Sequence, residues 1–229
     1  MNNIWKCSIK ILSIFFVIAF TTMSISNAAD SYFMSYNIGA TPMMTTVFMW
    51  LGTIPAFIFL PLRPAIKKKI GKAAMFRLFL GISIVGMLLM YLVISVPSLK
   101  NCFPLVCVVQ LVKSVGILVA TGYMWALVPE VVTFGEYTTG RRVAAIVNAL
   151  ICIFMKAGMA LGGVIPGLVL AWVGFDAASQ VQTPLAEQGI LSLVTLIPAV
   201  LFFAAIFVIG RYELSDERMD QINSEISKR

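Results

Sequence analysis

Apolar residues along this chain come in six long runs, at positions 10–29, 43–62, 73–96, 103–128, 143–173 and 190–211. Each is near the roughly 20 residues that a helix needs to cross a hydrocarbon core of about 30 Å. The short alternating segments of a transmembrane barrel do not occur. The pattern predicts an all-α integral membrane bundle of six spanning helices over residues 1–211. A polar tail, residues 212–229, follows with Glu213, Asp216, Glu217, Arg218 and Asp220. Turn chemistry or charge marks the breaks at 37–42, 63–77, 97–101, 129–142 and 174–188.

Composition narrows the function classes. At 60% hydrophobic and 12% charged residues, with a mean hydropathy of +0.95, an ordinary soluble domain is excluded. The chain has no histidine, and Cys7, Cys102, Cys107 and Cys152 are scattered. That removes histidine-dependent nucleophilic catalysis, speaks against a zinc or haem site, and leaves the cysteines as small apolar residues. No enzyme and no cofactor are expected.

Charge placement gives an orientation. Of the 17 basic residues, all but Lys100, Lys113 and Lys156 fall on one side of the six-helix scheme. Basic loops stay in the cytoplasm, so both termini are expected there. The net charge of +7 is then a topology signal and an attraction to anionic headgroups, not a nucleic-acid footprint. Lys6, Lys10, the run 11–20 and Ser26-Asn27-Ala28 imitate a cleavable secretory signal. The charge bias favours keeping residues 1–28 as part of a first spanning helix.

Few charges remain inside or at the edge of the core: Asp30, Lys113, Glu130, Glu136 and Lys156. From Arg142 to Lys156 the helical rise is about 21 Å, which places the lysine near mid-membrane if the arginine is at the headgroups. Three readings stand for Lys156: a substrate or coupling role, a structural ion pair, and snorkelling. Lys113 either lines an aqueous cavity or takes part in function. Asn27 and Asp30 form a candidate pore-facing patch, and Tyr32 is a further candidate cavity residue, although tyrosines here, Tyr32 and Tyr36, most often form an interfacial belt.

Gly158, Gly162, Gly163 and Gly167 make two interleaved Gly-x-x-x-Gly spacings around Pro166. Close helix packing explains them, with rocking against a neighbour as the functional extension. Glu130, Glu136, Arg141 and Arg142 collect at one mouth. They are either solvated loop charges or a lock of acid–base pairs that breaks when the mouth opens.

The segment Pro129-Glu130-Val131-Val132-Thr133-Phe134-Gly135-Glu136-Tyr137-Thr138-Thr139-Gly140-Arg141-Arg142, with Lys156-Ala157-Gly158 downstream, resembles the C-terminal half of a glycoside–pentoside–hexuronide:cation symporter. These are major-facilitator-type carriers that include the bacterial melibiose carrier. The stretch from Tyr32 to Gly39 is similar to the end of the family's seventh helix.

The resemblance covers nearly the whole chain. It implies half of a major-facilitator fold, built as two inverted three-helix repeats in a bacterial inner membrane. It implies secondary active sugar transport by alternating access against an N-terminal six-helix partner or a second copy, coupled to Na+ or H+. By the same resemblance Lys156 is a cavity lysine near sugar and cation, Glu130 and Glu136 are acidic gate positions, and Arg142 is their basic partner. Two departures stand out: Thr133 where an acid is common, and Lys113 where no family lysine is recognised. The alternative to a working half is a transport-inactive remnant or a membrane interaction subunit.

Overall fold

The computed structural model describes residues 2–179, 181–212 and 216–226. Positions 213–215 and 227–229 of the expected tail therefore lie outside the described residues. The elements are α1 (Asn2–Tyr32), extended as a π-helical segment over Phe33–Ile38; α2 (Pro42–Ile70); α3 (Lys72–Ser95); and the short α4 (Pro97–Lys100). After these come α5 (Phe103–Thr139), α6 (Ala144–Trp172), α7 (Pro184–Val194), α8 (Leu196–Gly210) and α9 (Asp216–Ile226). Among the described residues there is no strand, and six helical spans are long and apolar enough to cross a membrane, with α7 and α8 forming one of them.

Several helices run beyond the apolar runs that announce them. The run ending at Val128 belongs to a helix that continues through Pro129 to Thr139. The segment expected as a polar break at 129–142 is thus mostly helix. Proline removes one backbone donor and frees a carbonyl one turn back, a cost that a helix held on both sides can tolerate. The helix stops at Gly140, where φ is +64° and the amide donates to Glu136 O. The basic break at 63–77 is likewise helical apart from Gly71, whose φ of +78° separates α2 from α3. The last span is interrupted at Thr195, because Pro198 cannot donate to the carbonyl of Val194. Thr195 Oγ1 caps the break by donating to Leu191 O at 2.6 Å.

The interior is layered along the helix axes. One apolar cluster takes Leu12, Phe15, Phe16 and Phe20 of α1 with Phe76, Phe79 and Leu80 of α3 and Val119 to Val131 of α5. The other takes Ile25, Ala29, Phe33 and Met34 with Phe48, Met90, Val106, Val109 and Ile190. Between them lie the buried polar residues Thr21, Thr22 and Ser26 of α1 and Gln110, Lys113 and Ser114 of α5. Residues 2–32, which could pass for a cleavable leader, form a core element packed on α5, α6 and α8.

Close approach at glycines sets the helix spacing. A Cβ at Gly158 of α6 would lie 2.6 Å from Val17 O of α1, and one at Gly162 would lie 2.6 Å from Thr21 O. Thr21 Oγ1 bridges the same interface by donating to Gly158 O at 3.1 Å. Gly163 and Gly167 meet nothing within 4 Å and lie on the exposed face. Only one of the two Gly-x-x-x-Gly spacings therefore packs a helix within this bundle.

These contacts make a controlled comparison within one helix. Gly158→Ala should destabilise the bundle by about 1–3 kcal/mol, since backbone oxygens cannot yield. Gly163→Ala should be neutral or stabilising by up to about 1 kcal/mol, through helix propensity alone. Thermal unfolding of the two variants in the same detergent reads the difference.

Candidate functional site

The polar layer opens into a cavity of about 380 Å³ between α1, α2 and α5. Its polar lining is Thr22, Ser26, Asn27 and Asp30 from α1, Thr53 from α2, and Gln110, Lys113 and Ser114 from α5. Met23, Met49, Gly52, Ile117 and Leu118 complete the wall. The volume falls within the roughly 300–1,000 Å³ of small-molecule sites. Asn27, Met49 and Thr53 are exposed and mark its open side.

Lys113 is the deepest charge in the molecule's described part, with its side chain 2% exposed. It lies about 15 Å along α5 from Phe103, near the middle of a hydrocarbon core. Its Nζ stands 3.5 Å from Asp30 Oδ1. The backbone around it is pinned from the far side, because a Cβ at Gly86 of α3 would lie 2.7 Å from Lys113 N. A Cβ at Gly116 would likewise collide with the Phe79 carbonyl. These two glycines seat α5 closely on α3, and the lysine side chain reaches Asp30 of α1.

The pair is a charge contact without full hydrogen bonding. Four buried side-chain polar atoms without a hydrogen-bond partner line this cavity: Ser26 Oγ, Asp30 Oδ1, Gln110 Oε1 and Lys113 Nζ. Buried polar atoms are ordinarily satisfied, so their convergence on one open cavity marks a place for water or a ligand.

The other expected site residues are placed differently. Lys156 is exposed on α6, on a face that also presents Asn148, Cys152, Met159, Gly163 and Gly167. Tyr32 does not line the cavity; its ring stacks on Tyr36 and meets Phe175 edge-on at 5.5 Å.

At the basic end, the grouping of Glu130 and Glu136 with Arg141 and Arg142 does not form among the described residues. Glu130 instead receives Lys72 at 2.5 Å and Lys67 at 3.8 Å. The reason is geometric: α5 stays helical through this segment and turns Glu130 inward, while Gly71 brings both lysines onto it. Arg141 and Arg142 fall beyond the Gly140 turn and are exposed. On the same end α9 packs Met219 and Ile222 into the core, and Tyr137 donates to Glu225 Oε2 at 2.5 Å.

Gln110, Ser114, Ser26 and Thr53 were not picked out from the sequence. A signal existed for two of them, since Gln110, Lys113 and Ser114 stand at i, i+3 and i+4 and share one helix face. Nothing in the spacing of α1 or α2 tells that Ser26 and Thr53 meet that face.

Comparison with known proteins fits this geometry. Residues 8–216 match the family model described as MFS/sugar transport protein. An uncharacterized symporter of Bacillus subtilis (strain 168) is 39% identical over 96% of this chain and 46% of its own length. The glucuronide carrier protein homolog of Escherichia coli (strain K12) is 32% identical over 91% of this chain and 44% of its own. A second uncharacterized symporter of Bacillus subtilis is 28% identical over 97% and 46%. The chain thus spans about half the length of the curated relatives it matches. It is a multi-pass membrane protein with six candidate spans among the described residues, and it belongs to the MFS/sugar transport protein family.

Proposed function

We propose that this chain is the C-terminal six-helix bundle of a sugar:cation symporter, working by alternating access against a second six-helix unit. That unit is supplied on the same polypeptide, as a separate chain, or as a second copy. The observation that carries the reading is Lys156. A cation exposed near mid-membrane is costly against lipid, by at least about 2.5 kcal/mol on insertion scales, so its face needs a protein or aqueous neighbour.

The same face is otherwise unpartnered. Only 17% of the α6 span and 11% of the α2 span are buried, against 44–56% of the other four. Small residues at Gly163 and Gly167 permit a close second helix. The shared length with symporter relatives, and one relative's name as a glucuronide carrier homolog, support sugar cargo.

In this reading both termini are cytoplasmic in a bacterial inner membrane, since the basic loops lie on that side. The Lys67–Glu130–Lys72 cluster then stands at the cytoplasmic mouth and restrains it. Lys156 orients sugar hydroxyls or an acidic group and senses the coupling cation, Na+ or H+.

Reconstituted with a six-helix N-terminal unit, the chain should accumulate sugar, and Lys156→Ala should abolish accumulation. Unchanged accumulation by that variant refutes the role. Cys152, one turn from Lys156, should react with a permeant maleimide in the isolated chain and be protected at least tenfold in the assembly, with the other three cysteines replaced by serine. Glu130→Gln removes the shared acceptor of two lysines. It should lower the thermal stability of the bundle by about 1–2 kcal/mol, whereas Arg142→Gln should change it by less than about 0.5 kcal/mol.

A further inference from the structure

We propose that the outer face of α3 carries a binding site for an anionic phospholipid, with its phosphate held by Arg77 and Arg211 and one acyl chain laid along a groove that runs from Arg77 to Val85. The site shares no residue with the polar cavity and does not depend on the transport reading.

The groove is made by a missing side chain. Arg77, Leu78, Gly81, Ile82 and Val85 of α3, with Val112 of α5, line a hollow of about 450 Å³. A Cβ at Gly81 would meet nothing within 4 Å, so the helix surface is notched between Leu78 and Val85. Those two side chains are 51% and 54% exposed. From Arg77 to Val85 the helical rise is about 12 Å, most of one leaflet of a core about 30 Å thick. A hydrocarbon chain suits that length and that lining, because Arg77 alone among the lining residues has a polar side chain. Leu88, Leu89 and Leu92 extend the outward surface beyond the groove as exposed aliphatic side chains, which match lipid tails in polarity.

The charged end selects the headgroup. Arg77 lies near the start of α3 and is exposed, and a Cβ at Gly210 would lie 3.5 Å from its Nη2. Gly210 is the last residue of α8. The guanidinium therefore stands at the C-terminal carbonyls of that helix, where a cation is favoured, and beside the chain position of Arg211. Arg211 is exposed too, and among the described residues neither arginine makes an ion pair. Lys67 and Lys72, at the same basic end, are both engaged by Glu130.

Two unanswered guanidinium groups thus meet the end of an apolar groove. Guanidinium binds phosphate oxygens through paired N–H donors, which a headgroup can accept without leaving its tail's place in the leaflet. A zwitterionic lipid brings its own ammonium and gains little from the arginines, whereas a lipid of net negative charge gains from both.

The test is native mass spectrometry of the 229-residue chain, titrated in detergent with palmitoyl-oleoyl phosphatidylglycerol or phosphatidylcholine, which share their acyl chains and differ in net charge. One phosphatidylglycerol should bind with a Kd about twenty-five-fold below that of phosphatidylcholine, about fivefold from each arginine. Arg77→Gln with Arg211→Gln should bring the two lipids within about twofold of each other. Arg141→Gln with Arg142→Gln removes the same charge from exposed positions at the same end of the bundle and should keep the preference. Gly81→Leu builds into open space, so it should fold, weaken both lipids by about fivefold, and keep the charge preference. Helical circular dichroism checks that each variant is folded.

Equal affinity for the two lipids overturns the proposal, as does retention of neither, which would leave the groove to a protein neighbour. A preference that survives the Arg77 and Arg211 replacements, or that the Arg141 and Arg142 replacements abolish equally, reduces the effect to diffuse attraction and refutes the site. Unchanged binding by Gly81→Leu refutes the groove.

Discussion

A lysine held at 2% exposure near the centre of a membrane bundle constrains everything around it. Its charge must be answered, and Asp30 on α1 does so across the cavity. Its backbone must be held, and Gly86 and Gly116 bring α3 against α5 closely enough to hold it. The apolar clusters above and below exclude lipid and water from the two ends, so the polar layer is confined to one level. Removing one member of a buried pair typically costs about 3–5 kcal/mol, which makes the pair a point of specificity more than a source of stability.

Two types of surface divide the bundle. α1, α3, α5 and the α7–α8 span pack on one another and carry the interior. α2 and α6 leave most of their length uncovered, and α6 carries Lys156 on the uncovered side. The two lysines thus differ in surroundings, Lys113 buried within the bundle and Lys156 exposed outside it. The site inside the bundle is complete in charge. The α6 face outside it is largely exposed.

At the basic end, charge pairing follows helix continuity. Because α5 passes Pro129 without stopping, Glu130 is delivered to Lys67 and Lys72 at the α2–α3 turn, and the arginines past Gly140 are left to solvent. The ion pairs at this end thus join α5 to the α2–α3 turn. α9 reinforces the same corner through Met219, Ile222 and the Tyr137–Glu225 bond.

The sequence alone determined the class of this protein. Six runs of membrane length admit only spanning helices, and the 129–142 segment with Lys156 carries enough specificity to place the family. It also identified Asp30, Asn27 and Lys113 as charges or polar groups that the membrane would not tolerate unanswered. It could not say which of them meet. Hydropathy is a one-dimensional quantity that ends where polar residues begin, so it stopped α5 at Val128 although backbone hydrogen bonding carries the helix to Gly140. Pairing is set by helix rotation and by which glycines allow close contact. Those are properties of neighbouring helices, and so only the tertiary structure turned Lys113 to Asp30, Glu130 to Lys72, and Lys156 outward.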